Sequence, residues 1–181
     1  SRNLEDLEAL QAEVKEAFPQ QECLIHWVDF AEKEETITYG KDIQAIWPDI
    51  DLLVNNVGVF LPGSVHGEGD GSLESTMTLN LYSPYYLTRT LLPGMMKRKT
   101  GHIINMCSIA SFMSYPNGGS YTISKFALLG LSKVLREEMG FDGVLISDWA
   151  AIEELLYHRV AKDQAEAARL AMEAGVDIDM V

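Results

Sequence analysis

The feature of this sequence that most constrains its fold is a repeated alternation between short apolar runs and longer stretches with helical periodicity. Apolar runs of strand length occur five times, as CLIHWV, IDLLVNNV, HIINMCS, GVLISDW and VDIDMV. Parallel strands must be joined by crossovers, which are usually helices, so this alternation predicts a parallel sheet covered by helices. We therefore expect a single α/β domain over residues 1–181, with a mainly parallel five-stranded sheet in a three-layer arrangement.

Several helix boundaries can be predicted from cap and breaker residues. Asn3 is suited to cap a first helix that starts at the next residue, and Pro48 should end a second helix. A long helix is expected from about residue 73 to 99, where Pro84 and Pro93 predict a kink or a break.

Composition and charge narrow the classes of partner and location. Apolar residues make up 47% of the chain and charged residues 23%, as in an ordinary soluble domain. The net charge of −13 opposes binding to nucleic acids and anionic membranes. No apolar run has membrane-spanning length and the opening residues lack a signal-peptide core, so we expect a cytoplasmic protein. Cys23 and Cys107 lie in predicted strands, which favours reduced, buried thiols over a disulfide or a metal site.

Four polar residues stand out as candidates for chemistry. Tyr121 and Lys125 are four residues apart at the start of a predicted helix and therefore share a face, where the ammonium would stabilise a phenolate. The same spacing also occurs by chance on helix surfaces. Ser108 ends an apolar strand, at the edge where open parallel sheets bind ligands, or it is a turn hydroxyl. Asn80 interrupts an apolar run, either as a functional amide or as one that packs between helices.

The order and spacing of these motifs resemble the short-chain dehydrogenase/reductase family. The resemblance covers residues 1–139 and is carried by NNVG at 55–58, NLY around Asn80, NMCSIAS around Ser108, and YTISK. NNVG has valine where the family has alanine. The resemblance implies a Rossmann-like fold, here with an altered strand order.

The family resemblance also implies a role for each matching residue. Tyr121 would be the general acid–base and Ser108 would polarise the substrate oxygen. Lys125 would lower the tyrosine pKa and hold the nicotinamide ribose, and Asn80 would support a water in the proton relay.

The cofactor would also contact residues outside this catalytic set. Asn55 and Gly58 would line the cofactor, and Asp29 would face its adenine. Arg2 would pair with a 2′-phosphate and favour NADP over NAD, although a solvated terminal arginine is an equal reading.

The sequence departs from the family where the phosphates should bind. The family opens with a strand, a glycine-rich turn and a helix, and that unit is missing here. The glycine-rich stretch PGSVHGEGDGS instead follows NNVGVF and carries Glu68 and Asp70, with Glu74 close behind, whose charges would repel phosphate. We therefore expect no cofactor, or NADP if the dehydrogenase site survives.

The last part of the chain resembles a different family. Residues 140–181 are similar to a barrel fragment of glycoside hydrolase family three, the beta-glucosidase group, through GFDGVLISDW, the His158 region, EAARLAMEAG and VDIDM. That resemblance makes Asp148 a former nucleophile without its partner carboxyl group.

The two resemblances together lead to a main functional expectation and two alternatives. The main expectation is a designed or recombined chimera with no intact natural activity. The alternatives are an NADP-dependent short-chain oxidoreductase that acts on carbonyls or alcohols, and a weak nucleotide-binding module. VDIDMV could fill the central gap between CLIHWV and IDLLVNN, or those two strands could pair directly. The long helices could also pair two copies as a homodimer.

Overall fold

The computed structural model describes residues 3–139, 146–149, 152–157, 161–173 and 178–180. The strands in this part of the chain are β1 Leu52–Asn55, β2 His102–Asn105, β3 Ile146–Trp149 and β4 Ile178–Met180. The helices are α1 Leu4–Ala17, α2 Lys33–Ile46, α3 Ser72–Met77, α4 Ser83–Arg98, α5 Gly119–Met139, α6 Glu154–Tyr157 and α7 Gln164–Glu173. A π-helical turn, Thr78–Tyr82, joins α3 to α4, and a 3-10 turn, Ile109–Ser111, follows β2.

The strands pair in parallel, as predicted, but the five-stranded sheet is not observed. β1 pairs with β2, from Leu52 opposite His102 to Asn55 opposite Asn105, and β3 pairs with β4 in a separate sheet. VDIDMV therefore does not fill the predicted central gap in the described residues, since its described part lies beside β3.

The segment CLIHWV, residues 23–28, differs most from its prediction. It joins no ladder with another described residue, so its predicted direct pairing with IDLLVNN is also not observed. The side-chain amide of Gln11 in α1 donates to the Cys23 carbonyl. A helix side chain thus satisfies a backbone acceptor that a neighbouring strand would otherwise take.

The helix predictions agree more closely with the structure. The Asn3 side chain caps α1 by accepting from the Glu5 and Asp6 amides at 3.1 and 3.4 Å. α2 ends two residues before Pro48. The predicted break in the long helix is the π-helical turn, which ends two residues before Pro84, whereas Pro93 lies inside α4 and does not end it. Pro84 has no N–H to donate to the Asn80 carbonyl in the α-helical pattern, which accounts for an irregularity at this point.

The core lies on one face of the β1–β2 sheet. Leu53 packs with Leu87, Leu91 and Met95 of α4, whereas Leu52 and Val54 on the opposite face are 52% and 47% exposed. The predicted three-layer arrangement requires helices on both faces of the sheet. Two described helices, α4 and α5, both contact side chains that point to the Leu53 side of the sheet. A second cluster joins Ile109 to α6 and α7.

Candidate active site

The π-helical turn places Asn80 at the centre of the candidate site. Its side chain is fully buried, and its Oδ1 accepts a hydrogen bond from the Val59 amide at 2.7 Å. Its Nδ2 donates to the Val59 carbonyl at 3.0 Å and to Ser124 Oγ at 2.9 Å. One amide therefore fixes the loop after β1 against α5. Isolated π-helical turns inside α-helices are frequent at functional sites.

The first turns of α5 bring Tyr121 and Lys125 together, as their spacing predicts. The Lys125 side chain is only 7% exposed, and its Nζ donates to the Met106 carbonyl at 2.6 Å. The same Nζ lies 5.6 Å from the centroid of the Tyr121 ring. A buried ammonium consequently sits beside the tyrosine, held from the far side by the segment that follows β2.

Ser108 lies at the same end of β2, two residues beyond the carbonyl that holds Lys125. It caps the 3-10 turn, since its Oγ accepts from the Ala110 amide at 3.2 Å and its own amide donates to Ser111 Oγ at 3.1 Å. Ser108 is therefore a turn hydroxyl, as one of its two predicted roles requires. Because the hydroxyl accepts in this cap, its own proton can still be donated to a substrate oxygen, which is its other predicted role.

Ser124 is a residue of the site that the sequence did not reveal. It receives the hydrogen bond from Asn80, and its hydroxyl donates to the Tyr121 carbonyl at 2.7 Å. A chain of hydrogen bonds thus runs from the π-helical turn to the backbone of the tyrosine. Its position inside YTISK was the available signal, but a serine in the first turns of a helix has many ordinary roles.

Asn55 has a different environment from the one expected of a cofactor ligand. Its side chain is buried, and its Nδ2 donates to Thr88 Oγ1 at 3.0 Å and to Asn105 Oδ1 at 2.8 Å. Asn105 in turn donates to Ser132 Oγ at 2.8 Å. These bonds join β1 and β2 to α4 and α5, so the described contacts of Asn55 are structural, and its contact with the cofactor stays a prediction.

The remaining predicted site residues do not lie together in the described part of the chain. Gly58 is exposed, and a Cβ there would approach Asn80 Oδ1 to 3.1 Å, so glycine keeps this backbone against the amide. Asp29 is half-buried and its Oδ1 accepts from the Ala31 amide at 3.0 Å, in the turn before α2.

Two predicted site residues cannot be placed by their side chains. Arg2 lies outside the described residues, and Asp148 lies in β3, where the side chain is outside the description.

Glu68 in the glycine-rich stretch contacts α5. Its carboxylate accepts from the Ser120 amide at 2.8 Å and from the Ser120 hydroxyl. These two hydrogen bonds hold the pKa of Glu68 below its usual value. The sequence had presented Glu68 only as a charge that repels phosphate.

The described residues form neither a disulfide nor a metal centre. Cys23 and Cys107 are free and half-buried. Burial raises the pKa of the Cys107 thiol, although a hydrogen bond with Ser111 and the Lys125 charge oppose that change. Within the described residues, no group of three or more His, Cys, Asp or Glu side chains could hold a metal. None of the described helices has an apolar stretch that would span a bilayer.

Comparison with known sequences identifies one family over most of the chain. The model of the short chain dehydrogenase family matches residues 1–151. Estradiol 17-beta-dehydrogenase 11 from Pongo abelii is 34% identical over 112 residues, which are 62% of this chain and 37% of that protein. Nodulation protein G from Rhizobium sp. (strain N33) is 28% identical over 174 residues, covering 93% of this chain and 68% of that protein. The match to the estradiol dehydrogenases thus spans little more than a third of their length.

Solved structures give the same family and the same fold. A metagenomic short-chain oxidoreductase in complex with NADP has a TM-score of 0.76 and 27% identity, with 100% of this chain and 82% of that chain covered. The closed form of a serine dehydrogenase complexed with NADP+ has a TM-score of 0.67 and 29% identity, with 81% and 58% covered. The Rossmann-like α/β fold predicted from the sequence is therefore confirmed.

These findings correct the main functional expectation. A chimera without intact natural activity is wrong, because a metagenomic short-chain oxidoreductase matches the whole chain and the family match crosses the expected junction at residues 139–140. No comparison supports the resemblance of residues 140–181 to glycoside hydrolase family three, or a chimera. The expectation that no cofactor binds has no support either, because both of these similar structures hold NADP. This chain belongs to the short-chain dehydrogenase family.

Proposed function

We propose that this chain carries the catalytic part of an NADP-dependent oxidoreductase that moves a hydride between nicotinamide and a carbonyl or alcohol substrate. The observation that carries the proposal is the buried Lys125 ammonium, 5.6 Å from the centroid of the Tyr121 ring and bonded to the Met106 carbonyl. Membership of the family and the NADP in similar structures support it.

Each polar residue of the site has a distinct role in this proposal. Tyr121 gives a proton to the substrate oxygen during reduction and takes it back during oxidation. Ser108 donates a hydrogen bond to the same oxygen and polarises it. Lys125 places a positive charge beside the phenol, which favours its ionised form. Asn80 holds the loop after β1 and the first turns of α5 in register, so that the acid–base group keeps its position.

The described residues fit the nicotinamide and ribose end of NADP. When bound, NADP supplies or accepts the hydride. An ammonium has three donors in total, and Lys125 lies next to Tyr121, where the family resemblance puts a ribose hydroxyl. Gly58 leaves an open backbone next to Asn80, which suits close approach of a ligand.

The described residues do not fit the pyrophosphate of the cofactor in the same way. The glycine-rich stretch after β1 directs the carboxylate of Glu68 to Ser120, and an anionic loop of this kind does not cradle phosphates. We therefore assign no phosphate contact to this loop. Arg2 remains our proposed partner for a 2′-phosphate, and Asp29 our proposed partner for the adenine end.

Cofactor binding and hydride transfer can be tested separately. Titration of the protein with NADPH, followed by nicotinamide fluorescence, should show saturable binding, and a generic ketone should then oxidise the bound cofactor. Tyr121→Phe should keep binding and lose at least about 100-fold in kcat, because the acid–base group contributes roughly that much. Tyr157→Phe is the control, since that side chain is 77% exposed and lies in α6.

The outcomes separate this proposal from its main competitor. NADPH binding without hydride transfer to any ketone would favour the weak nucleotide-binding module. No binding at millimolar cofactor would contradict both.

We also propose that two copies associate through the long helices. Apolar side chains on α4 and α5, among them Met96, Phe126 and Val134, are about half exposed. Sedimentation or light scattering of the protein at micromolar concentration tests the proposed homodimer.

A further inference from the structure

The loop of residues 60–71 lies between β1 and α3 and contacts the start of α5 and the residues just before it. We infer that Glu68 is a positioning residue, which holds this loop against α5 and thereby fixes Tyr121. The catalytic consequence of this inference rests on the proposed function, whereas the contact itself does not.

The Glu68 carboxylate makes two bonds to one residue of the helix. It accepts from the Ser120 amide at 2.8 Å and from the Ser120 hydroxyl, across 52 residues of sequence. The amides of the first turn of a helix have no intrahelical acceptor, and a negative charge at that end also interacts favourably with the helix dipole. Ser120 is 1% exposed, so water does not readily replace the carboxylate as its partner.

The loop also makes a backbone contact with the residues just before α5, three positions before Ser120. The Gly63 amide donates to the Asn117 carbonyl at 2.9 Å. Between the two contacts lies Gly119, with φ at +27°, where a Cβ would overlap the Gly63 carbonyl oxygen and the Glu68 carboxylate. The loop therefore seats directly on the backbone that leads into the helix.

Two residues of the loop, Glu68 and Phe60, constrain the position of Tyr121. Ser120, held by Glu68, is its immediate neighbour in sequence. At the other end, the Phe60 ring meets the Tyr121 ring edge-on, with the centroids 4.7 Å apart. Phe60 is nevertheless 56% exposed, so it stabilises little by burial and serves mainly to limit where the phenol can lie.

A positioning role and a purely structural role differ in what a substitution changes. Loss of a helix cap lowers the free energy of unfolding but leaves kcat intact in molecules that stay folded. Loss of a positioning contact lowers kcat in folded molecules, because a shift of about 1 Å in a reacting group costs up to roughly 100-fold in rate. The Michaelis constant for NADPH should stay constant, because the residue of α5 that Glu68 contacts is Ser120, which is not among the residues assigned to the cofactor.

The experiment compares Glu68→Ala, Glu68→Gln, Ser120→Ala and the double variant Glu68→Ala/Ser120→Ala in the full chain. We expect kcat to fall about tenfold or more in Glu68→Ala, with the Michaelis constant for NADPH within about twofold of wild type. Glu68→Gln keeps a carbonyl acceptor and should recover part of kcat. The double variant should lose no more than Glu68→Ala alone, because Glu68→Ala already removes both bonds, whereas Ser120→Ala removes only the bond from the hydroxyl. Glu74→Ala removes a similar charge from α3 and is the control.

Amide hydrogen exchange of Ser120 provides a readout that needs no activity. Exchange at Ser120 should accelerate about tenfold or more in Glu68→Ala and stay as in wild type in Glu74→Ala. Unchanged exchange at Ser120, or a kcat within about twofold of wild type in an active protein, would overturn the positioning role. A wild-type protein that binds no NADPH and transfers no hydride would overturn the proposed function, and the exchange data would still decide whether Glu68 holds α5.

Discussion

Replacing Asn80 by alanine should destabilise the protein by about 2–4 kcal/mol. The substitution removes three hydrogen bonds, to the Val59 amide, the Val59 carbonyl and Ser124 Oγ. At about 1 kcal/mol net for each bond, the loss is about 3 kcal/mol. Val59 is half-buried and can recover part of this through water, while the buried space left by the amide adds to the loss.

Urea unfolding followed by circular dichroism measures this loss as the difference in extrapolated free energy. The matched control is Asn56→Ala, which removes an exposed amide from the same loop and should change the free energy of unfolding by less than about 0.5 kcal/mol. A loss below about 1 kcal/mol in Asn80→Ala, or equal losses in the two variants, would refute the view that this amide fixes the loop after β1 against α5.

Three further measurements follow from the described contacts. Asn55→Leu leaves Asn105 Oδ1 without its donor and should cost about 1–3 kcal/mol in urea unfolding, and a cost near zero would contradict its cross-strand role. The Ser120 bonds lower the pKa of Glu68 in the folded state, so their stabilisation is fully present above the unfolded pKa and is lost as the pH falls through the folded pKa. Thermal unfolding of wild type and Glu68→Gln should therefore differ most near neutral pH and converge in acid, and a pH-independent difference would be inconsistent with this linkage. Burial raises the pKa of the Cys107 thiol above its usual 9.0, so its reaction with a disulfide reagent should be slow at pH 8 and accelerate only in stronger alkali. Fast modification of the folded protein at pH 8 would contradict the raised pKa of this thiol.

The local features of the chain were largely predictable. Asn3 caps α1, α2 ends just before Pro48, and the break in the long helix lies beside Pro84. Each of these depends on the chemistry of one residue and its immediate neighbours in the chain, namely a side-chain acceptor, a missing N–H or a fixed φ.

The pairing of distant segments was not predictable in the same way. CLIHWV has the composition of a strand, but a strand needs a neighbouring strand to pair with, and no described strand pairs with this segment. The Cys23 carbonyl instead accepts a hydrogen bond from the Gln11 side chain. The predicted three-layer arrangement requires helices on both faces of the sheet, whereas α4 and α5 both contact the Leu53 face. The interpretation of residues 140–181 as a fragment of another family also relied on short motifs, and the match of the family model across residue 139 shows how little such motifs constrain origin.

The sequence by itself determined the family and the order of the helices and of four of the five predicted strands. It also determined the shared face of Tyr121 and Lys125, because helical spacing fixes which side chains meet within one helix. Only the tertiary structure decided that Asn55 bonds across two strands, that Ser124 links Asn80 to Tyr121, and that Glu68 caps α5. These contacts join residues that lie 44–52 positions apart. Hydrogen bonds over such separations depend on how the chain packs, and no local pattern of residues encodes them.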